Sequence, residues 1–180
     1  LGRRPYVYRG CVGPVTLPSP QAAEVADIVV ALTRHYGLRG LNGIDFLHGA
    51  DGIRVLELNP RPTASLALFH DVLAGGLLAA HVDACLEGRL PDADDITPSP
   101  PVRGSQVVFA LKRGTVTPAL ADWLAAQPDC HDLPAAGTLF ARHDPVCSIT
   151  CEGKTPDEVQ AALGRRCEAI LSHLGHASLR

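Results

Sequence analysis

The chain has 180 residues, of which 46% are hydrophobic and 19% charged, with a formal net charge of −3. That length can bury a substantial core, either as one domain or as two small ones. The charge leaves no basic footprint for nucleic acid, and no apolar run approaches the ~20 residues of a membrane span.

In chain order, Ser19-Pro20 opens a predicted helix with a cap and an N1 proline. Val25, Ile28, Val29, Leu32 and Tyr36 give it an apolar stripe at helical spacing, and it closes near Gly37. Next comes a predicted β-hairpin. Asn42 to His48 is strand-like, Gly49-Ala50-Asp51-Gly52 tolerates positive φ, and Ile53 to Asn59 is apolar and β-branched. Alternation puts Val55, Glu57 and Asn59 on one face and Leu56 and Leu58 on the other. Symmetry about Asp51 sets Asp45 directly opposite Glu57, with Cβ atoms roughly 4.5–5.5 Å apart. Like charges that close are destabilising unless a cation or a proton lies between them. Magnesium suits the place, because it is a hard cation that takes carboxylate oxygens and substrate phosphates. An acidic pair on a hairpin is also an ordinary solvated face. Here, however, Glu57 lies in an apolar strand, shares its face with Asn59, and runs into Pro60-Arg61-Pro62.

Gly43-Ile44-Asp45-Phe46, followed by Val55-Leu56-Glu57-Leu58-Asn59-Pro60-Arg61-Pro62, resembles the C-terminal nucleotide-binding segment of ATP-grasp enzymes. The resemblance implies an α+β fold: the C-terminal subdomain of an ATP-grasp unit, an antiparallel sheet with flanking helices, followed by a small α+β tail. It implies an enzyme that activates a carboxylate with ATP as an acylphosphate and couples it to an amine, ATP and Mg²⁺ (or Mn²⁺) being the cofactors. Residue by residue, it makes Asp45, Glu57 and Asn59 the metal ligands. Arg61 becomes the catalytic clamp on transferred phosphoryl charge. Leu47 and Leu56 match apolar contacts to adenine, although alternation turns Leu56 away from Glu57 and core packing suits it as well. Two other classes stay open: a family member that carboxylates with bicarbonate, and a non-catalytic nucleotide-binding domain. The expected partners are ATP, a small carboxylate and an amine, without nucleic acid or membrane, in the cytoplasm; homo-oligomerisation is left open.

Beyond the motif, Thr63-Ala64-Ser65 begins a short predicted helix in which Thr63 and Ser65 serve as caps or as contacts to the acceptor substrate. Gly75-Gly76 breaks it, and a second helix runs from about Leu77 to Glu87 with Gly88 as its cap. The polar, proline-rich stretch from Pro91 to Pro101 reads as a linker or a long surface loop. Gln106 to Lys112 and Val146 to Cys151 are predicted strands, and Ala119 to Ala126 a short helix. Thr155-Pro156-Asp157-Glu158 is a capping box opening a helix to about Leu174. The expected organisation is therefore an ATP-grasp subdomain over residues 1–90, a linker over 91–104 and a tail unit over 105–180.

Six cysteines are too sparse for a stapled scaffold and lack zinc-site spacing, so buried free thiols are expected. Cys147 and Cys151, four apart on one strand, are expected to face opposite ways or differ in depth. His131 beside Cys130 reads as a loop histidine before it reads as a ligand pair. Arg4, Arg9 and Arg39 are surface positions within conceivable reach of phosphate. The chain holds no methionine and begins at Leu1, which reads as a fragment. The resemblance agrees, because the family's nucleotide lid and its phosphate-binding lysines precede the motif, and only Lys112 and Lys154 occur here. Pro5 to Arg9 would then be the first strand after the lid, and the chain alone is expected to be inactive.

Overall fold

The computed structural model describes residues 7–98 and 100–177, which fall into two units. Val15–Pro100 forms one; Leu1–Pro14 and Pro101–Arg180 form the other. This partition differs from the expected 1–90, 91–104 and 105–180. The reason is a strand pairing between segments some ninety residues apart, which no local pattern can reveal.

The second unit is built on a four-stranded antiparallel sheet in the order β1 (Gly10–Gly13), β4 (Val102–Phe109), β8 (Pro145–Gly153), β6 (Cys130–His131). Of the strand expected at Pro5–Arg9, Pro5 and Tyr6 lie outside the described residues, as does Arg4. Residues 7–9 are not strand, and β1 begins at Gly10. β4 starts at Val102, inside the expected linker, because its early residues pair with Glu152 and Gly153 of β8. A long helix, α4 (Pro156–Ala177), lies on β1, β4 and β8. Its close approach requires glycine at 104, where a Cβ would come within 2.6 Å of Val159 and 2.7 Å of Leu163. The capping box forms with a small offset: Thr155 Oγ1 accepts from Glu158 N at 3.2 Å, while Glu158 accepts from Lys154 N rather than from Thr155 N.

A shorter helix, α3 (Pro118–Ala125), is capped by Thr117, whose hydroxyl accepts from Leu120 N. A two-stranded ribbon, β5 (Gly114–Thr115) with β7 (Leu139–Phe140), completes the unit. Its core joins Val108 and Ile149 from the sheet to Val116, Leu120 and Leu124, and to Val159, Leu163 and Ile170 of α4. The six cysteines are free, and Cys130, Cys147 and Cys167 are buried in this core. Cys147 and Cys151 share one face of β8 and differ in depth. Burial pushes the Cys147 thiol up to about 12, and the neighbouring Cys130 and Cys167 act in the same direction.

The first unit carries α1 (Ser19–Tyr36), the hairpin β2 (Gly43–Gly49) and β3 (Gly52–Asn59), a 3-10 turn at Ala64–Phe69, and α2 (Leu77–Leu86). Ser19 does not cap α1. Pro18 holds the cap position, no side chain bonds there, and the Pro18 carbonyl accepts from Ala22 N at 3.0 Å. The helix packs on β3, with Val25, Ile28 and Leu32 partly covered and Val29 and Tyr36 exposed. The proline-rich stretch is a folded surface loop: Thr97 N donates to the Val72 carbonyl at 2.8 Å, and Ile96 bridges Leu73. No helix among the described residues is long and apolar enough to cross a membrane.

Candidate functional site

The hairpin turns through two residues, Ala50 and Asp51, between Gly49 and Gly52, with Gly52 at φ 97. From the tip inward, Gly49 pairs with Gly52, His48 with Ile53, Leu47 with Arg54, and Phe46 with Val55. The register then shifts, so that Asp45 pairs with Glu57, Ile44 with Leu58, and Gly43 with Asn59. Leu56 is the extra residue of a β-bulge. Without it, a two-residue turn would have set Asp45 against Leu56. The opposition of the two carboxylates thus depends on the bulge as well as on the turn.

The bulge also corrects the expected alternation. Paired residues share a face, so Val55 lies with Phe46, on the side opposite Asp45 and Glu57. Leu56, two residues past Arg54, joins the face of Leu47, Asp45 and Glu57 instead of turning away from it. Exposure follows this division except at Val55 and His48, which are exposed on the other side. Leu47 and Leu56 are 57% and 61% exposed, and both carboxylates face solvent. Ile44, Phe46, Ile53 and Leu58 on the other side are half-buried. Asn59 is 9% exposed, at the inner end of the carboxylate face. One face of the hairpin therefore carries two leucines, two opposed carboxylates and an amide in succession.

Arg61 lies two residues beyond β3, exposed, with Nη1 donating to the Pro62 carbonyl at 3.2 Å. Thr63 and Ser65 bond to each other through their hydroxyls at 2.9 Å, and Thr63, the cap residue of the 3-10 turn, makes no capping bond through its side chain. A Cβ on Gly43 would come within 2.6 Å of the Thr63 methyl, which places Thr63 over the start of β2. Two supports carry no signal in the motif. Glu24 of α1 accepts from Ile53 N at 3.1 Å near the tip, and His81 of α2 accepts from Leu41 N at 2.9 Å near the base. Both contacts span tens of residues.

The other sequence candidates do not converge. Cys130 and His131 occupy adjacent positions of β6 and so point to opposite faces; Cys130 is buried, and His131 Nε2 bonds Thr150 Oγ1 at 3.0 Å. Arg39 and Arg9 belong to different units. Among the described residues no three His, Cys, Asp or Glu side chains are grouped to hold a metal. What the hairpin offers is two carboxylates and an amide, a set of hard oxygen donors that suits magnesium and leaves its remaining positions to phosphate and water.

Residues 1–65, which include α1 and the hairpin, match the family model of the ATP-grasp domain. Over 111 residues the chain is 31% identical to the carbamoyl phosphate synthase large chain of Clavibacter michiganensis subsp. michiganensis (strain NCPPB 382), covering 56% of this chain and 10% of that protein. The fold resembles that of an L-amino acid ligase from Bacillus licheniformis at TM-score 0.65 and 11% identity, over 89% of this chain and 42% of the ligase. It also resembles an Aspergillus clavatus N5-carboxyaminoimidazole synthase, solved with ADP and 5-aminoimidazole ribonucleotide. That match has TM-score 0.64 and 14% identity, over 96% of this chain and 46% of the synthase. The first 65 residues thus match the ATP-grasp domain, and the chain shares the α+β fold of these ligases. It spans about a tenth of the length of the curated relatives it matches.

Proposed function

We propose that this chain supplies the metal-binding side of a nucleotide site in an ATP-dependent carboxylate–amine ligase. The observation that carries the reading is the direct pairing of Asp45 with Glu57 on an exposed face that continues to the buried Asn59. Opposed carboxylates cost stability in the free protein and become an asset when a divalent cation neutralises them. On this reading Asp45, Glu57 and Asn59 would hold Mg²⁺ (or Mn²⁺), which would supply positive charge against the ATP phosphates. Leu47 and Leu56, on the same face as the two carboxylates, give the adenine an apolar surface. Arg61 sits just past the metal ligands, where a guanidinium stabilises charge on the transferred phosphoryl group or on the acylphosphate. To do so it must exchange its bond to the Pro62 carbonyl for one to phosphate oxygen.

In the reaction, a substrate carboxylate attacks the γ-phosphorus and ADP leaves. An amine then displaces phosphate from the acylphosphate carbon, forming the amide and releasing inorganic phosphate. The similarity to a carboxyaminoimidazole synthase supports a second reading, in which bicarbonate is the acid activated. Bicarbonate-dependent ADP release separates the two.

The test is Glu57→Gln in the enzyme carrying this chain. It should reduce magnesium-dependent ADP formation to background while leaving the thermal unfolding transition in EDTA unchanged or slightly higher. Near-normal turnover would remove the metal assignment.

A further inference from the structure

We propose that His81 is a positioning residue for the metal-bearing hairpin, holding the turn that delivers Asp45 to its place opposite Glu57. This rests on the reading of Asp45, Glu57 and Asn59 as metal ligands.

The observations lie in the four residues before β2. Leu41 N donates to His81 Nδ1 at 2.9 Å, across 40 residues of sequence. An imidazole that accepts at Nδ1 carries its proton on Nε2. The preceding residue, Gly40, has φ 65, and a Cβ there would fall 2.4 Å from His81 Nδ1 and 2.9 Å from Cys85 Sγ. The backbone of the turn thus lies directly on the imidazole, in a conformation and a space that only glycine tolerates. One helical turn beyond His81, Cys85 Sγ lies 3.8 Å from the Arg39 carbonyl and 3.8 Å from His81 Nε2. From the turn itself, Asn42 Nδ2 donates to the Gly40 carbonyl at 2.8 Å and to the Arg39 carbonyl at 3.2 Å. Three side chains thus hold residues 39–42, immediately before the Gly43–Asn59 pair.

The need for such a clamp follows from the hairpin. A two-stranded ribbon is marginal on its own, and its open end frays first. Asp45 is only the third residue of β2 from that end. Its repulsion from Glu57 favours fraying whenever no cation is bound. An anchor just outside the strand holds the two carboxylates opposed before the metal arrives. His81 is placed to act through the backbone, touching neither metal nor nucleotide.

Two substitutions separate positioning from general packing. His81→Leu fills similar volume but cannot accept the Leu41 bond; His81→Asn retains an acceptor, its side-chain oxygen, near the place of Nδ1. Binding of Mn²⁺–ATP to the enzyme carrying this chain would be measured by titration calorimetry, with backbone amide exchange followed at Leu41, Asp45 and Glu57. Removing a group that orients a metal ligand costs 10–100-fold in affinity, so His81→Leu should bind about tenfold more weakly and His81→Asn should recover most of that loss. Exchange at the three amides should rise in the leucine variant and return toward the parent rate in the asparagine variant. Parent-like affinity and exchange in His81→Leu would overturn the inference, as would equal losses in both variants. If the unsubstituted protein binds no Mn²⁺–ATP, the proposed function itself falls and takes the role of His81 with it.

Discussion

At the scale of single residues, Asp45 and Glu57 are like charges paired directly across a ladder. Opposed like charges cost on the order of 0.2–1 kcal/mol. Asp45→Asn should therefore raise stability in EDTA by a few tenths of a kcal/mol while abolishing the stabilisation that Mg²⁺ gives the parent, both read from thermal unfolding with and without the metal. A fall in stability in EDTA would show that the two carboxylates are not opposed. Leu56 illustrates how narrow the margin is. Without the bulge Leu56 itself would oppose Asp45 and Glu57 would fall on the packed side; with it Glu57 joins the exposed Leu56 on the Asp45 face. The residue types at 56 and 57 were visible in the sequence, but their sharing one face depends on a register shift that has no local signature.

At the scale of elements, the legible parts were those with a period or a stop signal. The Thr155–Glu158 box marked α4, the glycines around Ala50-Asp51 marked the hairpin turn, and Gly37, at φ 61, ended α1. The strands β5, β6 and β7 have two residues each, too few for any alternation to show. β8 carries a consequence of its burial. Its Cys147 thiol, raised from 9.0 to about 12 by desolvation, stays protonated in the fold where an unfolded chain would ionise. A folded-state pKa above the unfolded one contributes stability that is complete below pH 9 and lost as pH rises toward about 12. Urea midpoints should therefore fall between pH about 8 and about 10.5, and the fall should be shallower in Cys147→Ala. An identical slope would mean that this thiol does not titrate with unfolding.

At the scale of the whole molecule, apolar burial is unevenly shared. The large buried cluster, from Val108 to Leu174, belongs to the sheet-and-α4 unit. Among the described residues, the hairpin unit buries Leu68, Leu73 and Ala84 of its apolar side chains. Local stability follows local burial, so amides of β4 and β8 should exchange at least about tenfold more slowly than those of β2 and β3. Comparable protection in the two units would contradict that division. The hairpin thus belongs to the less heavily packed unit, where Glu24 and His81 each accept a hydrogen bond from a backbone amide at or beside it.

The sequence by itself determined the resemblance to the ATP-grasp domain, the α+β class and the hairpin with its acid, Glu-x-Asn and arginine spacing, because these depend on residue type at short separations. It also placed the long helices, whose period repeats over several turns. Only the tertiary structure decided that residues 10–13 pair with β4, that the bulge brings Glu57 to the face of Asp45 and Leu56, and that His81 and Glu24 bond the two ends of the hairpin. Each of these depends on a strand register or on contacts between residues tens of positions apart, and such relations exist only once the chain has folded.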